Sequence, residues 1–267
     1  MSFQHFYKYQ GAGNDFVIID ARFMEIMPTE QEIARFCDRR FGVGGDGLML
    51  LKNSEEADFE MLYYNSDGRL GSMCGNGGRC ITAFARKLGL IGKKTCFKGY
   101  DGMHEAEIIS EEDSTIVIKL KMRNINTITP CLNGFFLDTG SPHYVEKVEQ
   151  VRSYPVTEKG AFLRSHTVFP NGTNVDFVEV QPDGSLFVRT YERGVDAETY
   201  SCGTGVTASA LVYAQTHPHI VSPVDIHSLG GDFKVFFKRV EKGFSEVWLQ
   251  GNATLVFEGE IDVSAQF

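Results

Sequence analysis

Two short segments of the same form, each a cysteine followed by Gly-x-Gly, divide this 267-residue chain into similar halves. The first is Cys74-Gly75-Asn76-Gly77 and the second is Cys202-Gly203-Thr204-Gly205, so the two cysteines are 128 positions apart. A strand-like segment precedes each of them, and a helix-forming run follows. An internal repeat on this scale predicts two domains of similar architecture.

The rest of the chain fits alternating strands and helices. Helices are predicted from a capping box at Thr29 and Glu32 to about Phe41, from Arg79 to Leu88, and from just after Cys202 to a stop before Pro218. Alternating apolar residues predict strands at 16–19, 48–51, 59–64, 94–98, 103–109, 115–121, 135–139, 143–147, 174–180, 185–191, 221–227, 232–240, 245–250 and 254–262. The predicted fold class is α/β, of the α+β kind.

A cysteine just ahead of a helix lies where the helix dipole and the free N–H groups favour negative charge. That position lowers the pKa of a thiol and favours the thiolate. The following glycines allow a carboxylate to approach the bare backbone N–H groups. Two such units indicate stereoinversion, in which one thiolate removes a proton from carbon and a thiol returns one on the opposite face. This chemistry requires neither a metal nor an electron-sink cofactor, and we expect none.

The other cysteines and glycines have simpler interpretations. Cys37, Cys80, Cys96 and Cys131 are predicted to pack in the core, as free cysteines usually do. A chain this long does not need a disulfide framework, and the cysteine spacings fit no common zinc site. The segment Gly42–Gly47 has the form G-x-G-x-x-G, but a helix precedes it and a strand follows. This order is the reverse of a dinucleotide-binding turn, so that function is excluded.

Charge and hydropathy limit the partners. Lys and Arg number 26 and Asp and Glu 35, for a net charge of −9, which argues against nucleic acid as a partner. No apolar run is long enough to span a membrane, and no signal peptide is visible. We therefore expect a cytoplasmic protein with a small-molecule substrate.

Three motifs occur together, and their combination is specific. They are Gly11-Ala12-Gly13-Asn14-Asp15-Phe16, the segment Met73–Cys80, and Tyr191-Glu192-Arg193-Gly194 followed by Cys202–Gly205. In this order they resemble the diaminopimelate epimerase family, and the resemblance runs from Phe3 to about Gly259. It implies two pseudo-symmetric domains, each a curved, mostly antiparallel sheet around a central helix, with the active site in the interdomain cleft. The implied reaction is the interconversion of LL- and meso-2,6-diaminopimelate without pyridoxal phosphate, in lysine and peptidoglycan precursor synthesis.

The resemblance also assigns roles to residues. Cys74 and Cys202 match the acid/base pair, and His143 and Glu192 match residues that tune the thiols. The positions that match substrate-binding residues are Asn14, Asn65, Gly75, Asn76, Ser141, Asn174, Glu192, Arg193, Gly203 and Thr204. Many members have Asn where this chain has Ser141, whose reach is shorter. Some members have Gln where this chain has Gly47, so no side-chain contact is assigned there.

The domain division follows from the repeat and the resemblance. Residues 1–124 form the first domain, joined by the last strand at about 257–267, and residues 125–256 form the second. No motif encodes the oligomeric state, and a homodimer is compatible with the resemblance.

Two alternatives remain open at this stage. One is a proline racemase or hydroxyproline epimerase, which also uses two thiols but resembles M-C-G-H-G, with His where this chain has Asn76. A phenazine-type isomerase, a further relative, lacks the cysteine pair. The other alternative is a non-catalytic amino-acid-binding module, which would keep its affinity without the two thiols and would catalyse no proton exchange.

Overall fold

The structure, a computed structural model, describes residues 3–71 and 73–262, and the chain divides into two compact units. The first unit comprises Met1–Leu120 and Asn252–Phe267, and the second comprises Lys121–Gly251. Of the last strand predicted at 257–267, residues 263–267 lie outside the described part. No helix in the described ranges is both long and apolar enough to cross a bilayer.

The first unit is a sheet that surrounds one helix. Its strands are β1 (Phe3–Gly11), β2 (Asn14–Asp20), β3 (Gly47–Lys52), β4 (Phe59–Asn65), β5 (Lys94–Gly99), β6 (Gly102–Glu112) and β7 (Thr115–Lys121). Its helices are α1 (Glu30–Cys37) and α2 (Gly75–Lys87). The end of the long strand β16 (Phe244–Asp262) pairs with β1, so the strand order closes on itself. Helix α2 packs against β1, β2 and β3, and its first eleven residues are buried.

The second unit repeats this plan. Its strands are β8 (Thr129–Cys131), β9 (Gly134–Asp138), β10 (Pro142–Lys147), β11 (Asn174–Val180), β12 (Leu186–Glu192), β13 (Ala197–Thr199), β14 (Val224–His227), β15 (Asp232–Arg239) and the beginning of β16. Its helices are α3 (Val156–Arg164) and α4 (Gly203–Thr216). Helix α4 is apolar on nearly all sides and is buried against the sheet, as a helix of this composition must be.

Strand directions show the repeat more clearly than the sequence does. In the first unit β2 and β3 are parallel and α1 connects them, and β4 and β5 are parallel and α2 connects them. In the second unit β10 and β11 are parallel with α3 in the connection between them, and β12 and β14 are parallel with α4 in theirs. Most other neighbours are antiparallel. The predicted fold class, with two pseudo-symmetric units of mostly antiparallel sheet around a central helix, is confirmed.

Several boundaries differ from the sequence-based prediction. Helix α1 ends at Cys37, not Phe41, because the carboxylate of Asp38 accepts the backbone N–H groups of Arg40 and Phe41, both at 2.7 Å. Helix α2 begins at Gly75, four residues before the predicted start. Its first turn is rich in glycine, a poor helix former, so the sequence did not predict that turn as helical. The strands predicted at 245–250 and 254–262 are one strand, β16.

Helix α3 was not predicted, because a glycine interrupts its pattern. A Cβ at Gly160 would collide with the side chain of Tyr191 on β12. The glycine is therefore required by close packing of α3 on the sheet, although glycine is a poor helix former.

The cysteine prediction is half right. Cys37 and Cys80 are buried as expected, but Cys96 and Cys131 are only partly buried. Cys96 alternates with inward-facing residues of β5, which places it on the outer side of that strand. Cys131 lies on β8, an edge strand of the second unit.

Equivalent glycines at the start of the two central helices leave different amounts of space. A Cβ on Gly205 of α4 would collide with the carboxylate of Asp176 and lie 3.1 Å from the hydroxyl of Thr190. A Cβ on Gly77 of α2 would find ordinary contacts, at 3.5 Å from Cys74 and Met49. Gly77 and Gly205 are therefore a matched pair of positions that differ mainly in the side chains packed against them.

We expect Gly205→Ala to lower the free energy of unfolding by about 1–3 kcal/mol, because the new methyl group displaces a buried carboxylate. Gly77→Ala should leave stability unchanged or raise it by up to about 1 kcal/mol, since alanine is the better helix former. Urea denaturation of both variants measures the difference. Equal effects would show that the Asp176 carboxylate is not held against α4.

Candidate active site

Each central helix begins with one of the two repeated cysteines. Cys74 is the N-cap of α2, with φ −103° and ψ 127°, and Cys202 is the N-cap of α4, with φ −117° and ψ 114°. Both therefore have the extended backbone typical of an N-cap, beside N–H groups that lack helical partners. The structure gives the two predicted thiols the same backbone setting in the two units.

In the first unit, the Cys74 thiol is held by an amide. The Cys74 sulfur donates to Oδ1 of Asn14 at 3.4 Å, and the amide nitrogen of Asn76 approaches the same oxygen at 3.5 Å. The amide nitrogen of Asn14 donates to a carboxylate oxygen of Asp46 at 2.6 Å. Because a carboxylate only accepts, Asp46 fixes the Asn14 amide with its oxygen towards the thiol.

Charged side chains behind Asp46 form a compact cluster. Arg39 binds both carboxylate oxygens of Asp15, at 2.9 and 2.6 Å, and also binds Asp46 at 2.8 Å. The buried amine of Lys8 pairs with Asp15 at 2.5 Å and donates to the carbonyl of Gly44. Burial raises the pKa of Asp15, but the hydrogen bonds from Arg39 and Lys8 outweigh it and lower the pKa to about 2. Lys8 holds the Gly44 carbonyl and Arg39 holds Asp46, so the cluster fixes the Gly42–Gly47 segment. Through Asp46, this segment in turn orients the Asn14 amide.

Asn65 lies at the same end of the sheet. It is the last residue of β4 and pairs with Gly47 at the start of β3, while Phe16, two residues after Asn14, pairs with Gly47 from the other side. A Cβ on Gly47 would lie 2.5 Å from the carbonyl oxygen of Tyr64 and 2.6 Å from the Tyr63 ring. The Tyr63 ring therefore occupies the space where a longer side chain at position 47 would begin.

Arg79 supports the first turn of α2 and was missed by the sequence analysis. It is fully buried and donates to Oδ1 of Asn76 at 2.8 Å, to the carbonyl of Gly75 at 3.1 Å and to the carbonyl of Asn252 at 3.3 Å. These bonds fix the Asn76 side chain beside the thiol. The sequence did contain a sign of this role, because a charged residue inside a helix predicted to be central must have buried hydrogen-bond partners.

In the second unit, Cys202 begins a line of hydrogen bonds. Its sulfur lies 3.3 Å from the hydroxyl of Thr204, which lies 2.9 Å from Nε2 of His143. The other ring nitrogen, Nδ1, lies 2.7 Å from the carboxylate of Asp176, which also accepts from the Thr190 hydroxyl at 2.7 Å. His143 and Asp176 are fully buried.

Asp176 was also missed by the sequence analysis, although its signal was visible. It lies between the apolar residues Val175 and Phe177 in the fully buried part of β11, whereas the other acid of this strand, Glu179, is only partly buried. Because side chains alternate along a strand, Asp176 shares a face with Asn174, a predicted site residue.

Glu192 lies at the end of β12 and is held by its neighbours. Thr199 on β13 donates to its carboxylate at 2.6 Å, and the Cys202 side chain also hydrogen-bonds it. Burial raises the pKa of Glu192.

The sequence-based expectation of a lowered thiol pKa is wrong for Cys202 in this structure. Burial raises the pKa of Cys202 well above its ordinary value, and the negative charges of Glu192 and Asp176 act in the same direction. The Thr204 hydrogen bond lowers it, but by less. Ionisation of Cys202 therefore requires a compensating change nearby.

The remaining predicted residues of this unit lie around the same place. Asn174 donates to the carbonyl of Pro142 at 3.1 Å and accepts the backbone N–H of Arg193 at 2.8 Å. The guanidinium of Arg193 is exposed and donates to the carbonyl of Asn171 at 3.1 Å. Ser141 is partly buried two residues before His143, and its carbonyl accepts the N–H of Thr139.

The structure thus assembles two half-sites, each described within its own unit. The first brings together Cys74, Gly75, Asn14 and Asn76, with Asn65 at the adjoining strand end. The second brings together Cys202, Gly203, Thr204, His143, Asn174 and Glu192, while Arg193 adjoins it through its backbone N–H and Ser141 precedes His143 by two residues. Within residues 3–71 and 73–262, no group of three or more His, Cys, Asp or Glu side chains is placed to hold a metal ion. The chemistry each half-site offers is a thiol beside helix N–H donors, which suits a carboxylate-bearing substrate.

Comparison with known proteins gives a consistent family. The diaminopimelate epimerase family matches residues 6–123 and 135–256. A diaminopimelate epimerase of Flavobacterium psychrophilum is 44% identical over 96% of this chain and 99% of its own length. One of Chlorobaculum tepidum is 39% identical over 94% of this chain and 98% of its own.

Solved structures with low sequence identity share the fold. A Bacillus anthracis phenazine biosynthesis protein of the PhzF family has a TM-score of 0.77 at 17% identity, covering 98% of this chain and 100% of its own. A hydroxyproline epimerase from Agrobacterium vitis has a TM-score of 0.68 at 14% identity, covering 98% and 93%. Since the family match spans most of the sequence and the relatives align over nearly their full length, this chain belongs to the diaminopimelate epimerase family.

Proposed function

We propose that this protein converts LL-2,6-diaminopimelate to meso-diaminopimelate without a cofactor, in the synthesis of lysine and peptidoglycan precursors. The observation that carries the proposal is the repeated half-site, in which a cysteine stands at the N-terminus of each buried central helix. Membership of the diaminopimelate epimerase family supplies the substrate.

The proposed mechanism uses one thiol in each half-site. Starting from one isomer, the thiolate of one cysteine removes the α-proton, and the thiol of the other donates a proton to the opposite face of the carbon. The mechanism therefore requires the sulfurs of Cys74 and Cys202 to reach opposite faces of one α-carbon.

The α-carboxylate is the group that the helix N-termini recognise. The backbone N–H groups of Gly75 and Asn76, and of Gly203 and Thr204, are proposed to bind it, because helix N-termini favour anions. These donors stabilise the negative charge that moves onto the carboxylate as the α-carbon loses its proton. Such stabilisation is what allows the reaction to proceed without an electron sink.

The second amino-acid group of the substrate needs its own partners. Arg193 offers a planar fork for the distal carboxylate, and Glu192 can pair with the ammonium. Asn14, Asn65, Asn174 and Ser141 are proposed to supply further donors and acceptors. A site built for both distal charges would reject lysine, which has no second carboxylate.

Location and assembly belong to the same proposal. A pair of reduced thiols requires a reducing compartment, which supports a cytoplasmic location. A homodimer is proposed from the family resemblance alone, and the domain division near residues 124 and 256 from the internal repeat together with the resemblance.

Incubation of the reduced protein with LL-diaminopimelate in deuterated water tests the function. We expect meso-diaminopimelate that carries deuterium at one α-carbon, without added pyridoxal phosphate or metal, because the incoming proton comes from a thiol that exchanges with solvent. Chiral chromatography and mass spectrometry measure the two products.

The same assay separates the alternatives. Exchange of proline or hydroxyproline without exchange of diaminopimelate would replace our substrate by that of a two-thiol racemase. Ligand binding with no exchange of any amino acid would indicate a binding module.

Cys74→Ser and Cys202→Ser test the two thiols separately. Each should lower kcat by on the order of 10³-fold, because a hydroxyl is a far weaker acid and base catalyst at neutral pH. Cys96→Ser is the matched control, since this cysteine is partly buried and lies outside both half-sites. Circular dichroism checks that the fold is retained, and normal turnover in either variant would remove that cysteine from the mechanism.

A further inference from the structure

The ionisation of Cys202 raises a charge problem that its contacts can solve. Four groups from four elements face it: Thr204 of α4, His143 of β10, Asp176 of β11 and Glu192 of β12. Two of these are acids, and a thiolate would add a further negative charge in a buried place. Such a charge is costly unless a positive charge balances it. Among these four side chains, only the imidazole of His143 can become a cation.

The contacts of Asp176 determine which ring nitrogen of His143 can change its protonation. An ionised carboxylate only accepts hydrogen bonds, so the 2.7 Å contact with Nδ1 places a proton on Nδ1. The proton that His143 gains or loses is therefore the one on Nε2. This nitrogen faces the Thr204 hydroxyl at 2.9 Å, with the amide nitrogen of Asn174 at 3.4 Å.

The Thr204 hydroxyl can be oriented in two ways, and each matches one charge state. With a neutral imidazole, the Cys202 thiol donates to the Thr204 oxygen and the Thr204 hydroxyl donates to Nε2. With an imidazolium, Nε2–H donates to the Thr204 oxygen and the hydroxyl donates to the thiolate. A hydroxyl serves in both arrangements because it is one donor and an acceptor with two lone pairs.

We propose that the Thr204 hydroxyl relays a proton between the Cys202 sulfur and Nε2 of His143. In the forward step the S–H bond breaks, the proton passes to the threonine oxygen, the threonine's own proton passes to Nε2, and the electron pair remains on sulfur. The products are a thiolate and an imidazolium, so the net charge is unchanged and no other reactant is needed. Asp176 stabilises the imidazolium, and the reverse sequence restores the thiol.

This inference deepens the proposed function, because it states how one of the two catalytic thiols is charged and discharged. It also separates two neighbours of Cys202 that a sequence alone cannot rank. Glu192 hydrogen-bonds the same sulfur and burial raises its pKa, but a proton passed to Glu192 would leave the thiolate with no cation beside it. The His143 route differs because it places a cation, the imidazolium, beside the thiolate.

The test compares Thr204→Val with Thr204→Ser in the full-length protein. Valine has nearly the shape of threonine but no hydroxyl, whereas serine retains the hydroxyl. The reduced proteins are treated with iodoacetamide at pH 8 without substrate, and peptide mass spectrometry follows Cys202 and Cys74 separately. We expect Cys202 to react at least about tenfold more slowly in the valine variant, because general acid–base contributions of this kind are typically 10²–10⁴-fold. The serine variant should stay within about twofold of the parent, and Cys74 serves as the internal reference.

A second variant, His143→Gln, keeps the inference testable if the valine side chain disturbs the helix. His143→Gln should slow Cys202 as Thr204→Val does, and the double variant should be no slower than either, since both remove the same relay. Multiplying effects in the double variant, equal slowing of Cys74 and Cys202, or normal Cys202 reactivity in Thr204→Val would each overturn the relay. Loss of Cys202 reactivity only in Glu192→Gln would assign the proton to Glu192 instead.

The outcome does not depend on the substrate assignment. Alkylation is measured without diaminopimelate, so it reports on the relay even if the deuterium experiment shows a different substrate. Conversely, epimerase activity with normal Cys202 alkylation in Thr204→Val would leave the proposed function standing and remove the relay. If the relay operates, one limb of the pH profile of kcat comes from the Cys202–His143 pair. That limb should be absent in Thr204→Val and present in Thr204→Ser.

Discussion

Everything at the two half-sites depends on the burial of one helix in each unit with its N-terminus beside a cysteine. A helix leaves its first N–H groups without internal partners, and burial removes most of the water that would otherwise satisfy them. In the segments Cys74–Gly77 and Cys202–Gly205, the cysteine is an extended N-cap and two of the next three residues are glycines, which leave the N–H groups accessible to a ligand. A place that favours an anion beside a thiol is the direct result.

The repeat gives the two units the same backbone plan, but their supporting side chains differ. Behind Cys74, an asparagine amide leads to a cluster in which Lys8 and Arg39 balance the acids. Behind Cys202, the nearest charged groups are the acids Asp176 and Glu192, with His143 as the balancing base. The proposed reaction suits this asymmetry, because at any moment one thiol must be ionised and the other protonated.

Local patterns predicted the fold class, most of the strands and the two cysteines that begin the central helices, whereas β1, β8 and β13 were not predicted. The other half-site residues were assigned from the family resemblance. Alternating apolar residues predict strands, and a cysteine followed by glycines before an apolar run marks a helix N-terminus. Prediction from the sequence failed where long-range contacts decide the structure. Gly160 interrupts the helical pattern of α3 because any side chain there would collide with Tyr191. The roles of Asp176 and Arg79 depend on partners that are distant in sequence. The Cys202 thiol was misjudged because the helix dipole is local, whereas burial and two acids from other strands act on it together.

The central claim is that Cys74 and Cys202 act on one α-carbon, and oxidation tests it most directly. Two sulfurs that approach the same carbon from opposite sides can meet when no substrate separates them. Peptide mapping of air-oxidised protein should show a Cys74–Cys202 disulfide whose formation parallels the loss of epimerase activity, and a thiol reductant should restore both the free thiols and the activity. Full activity in a protein that carries this disulfide, or inactivation with a disulfide formed only among the other four cysteines, would contradict the account.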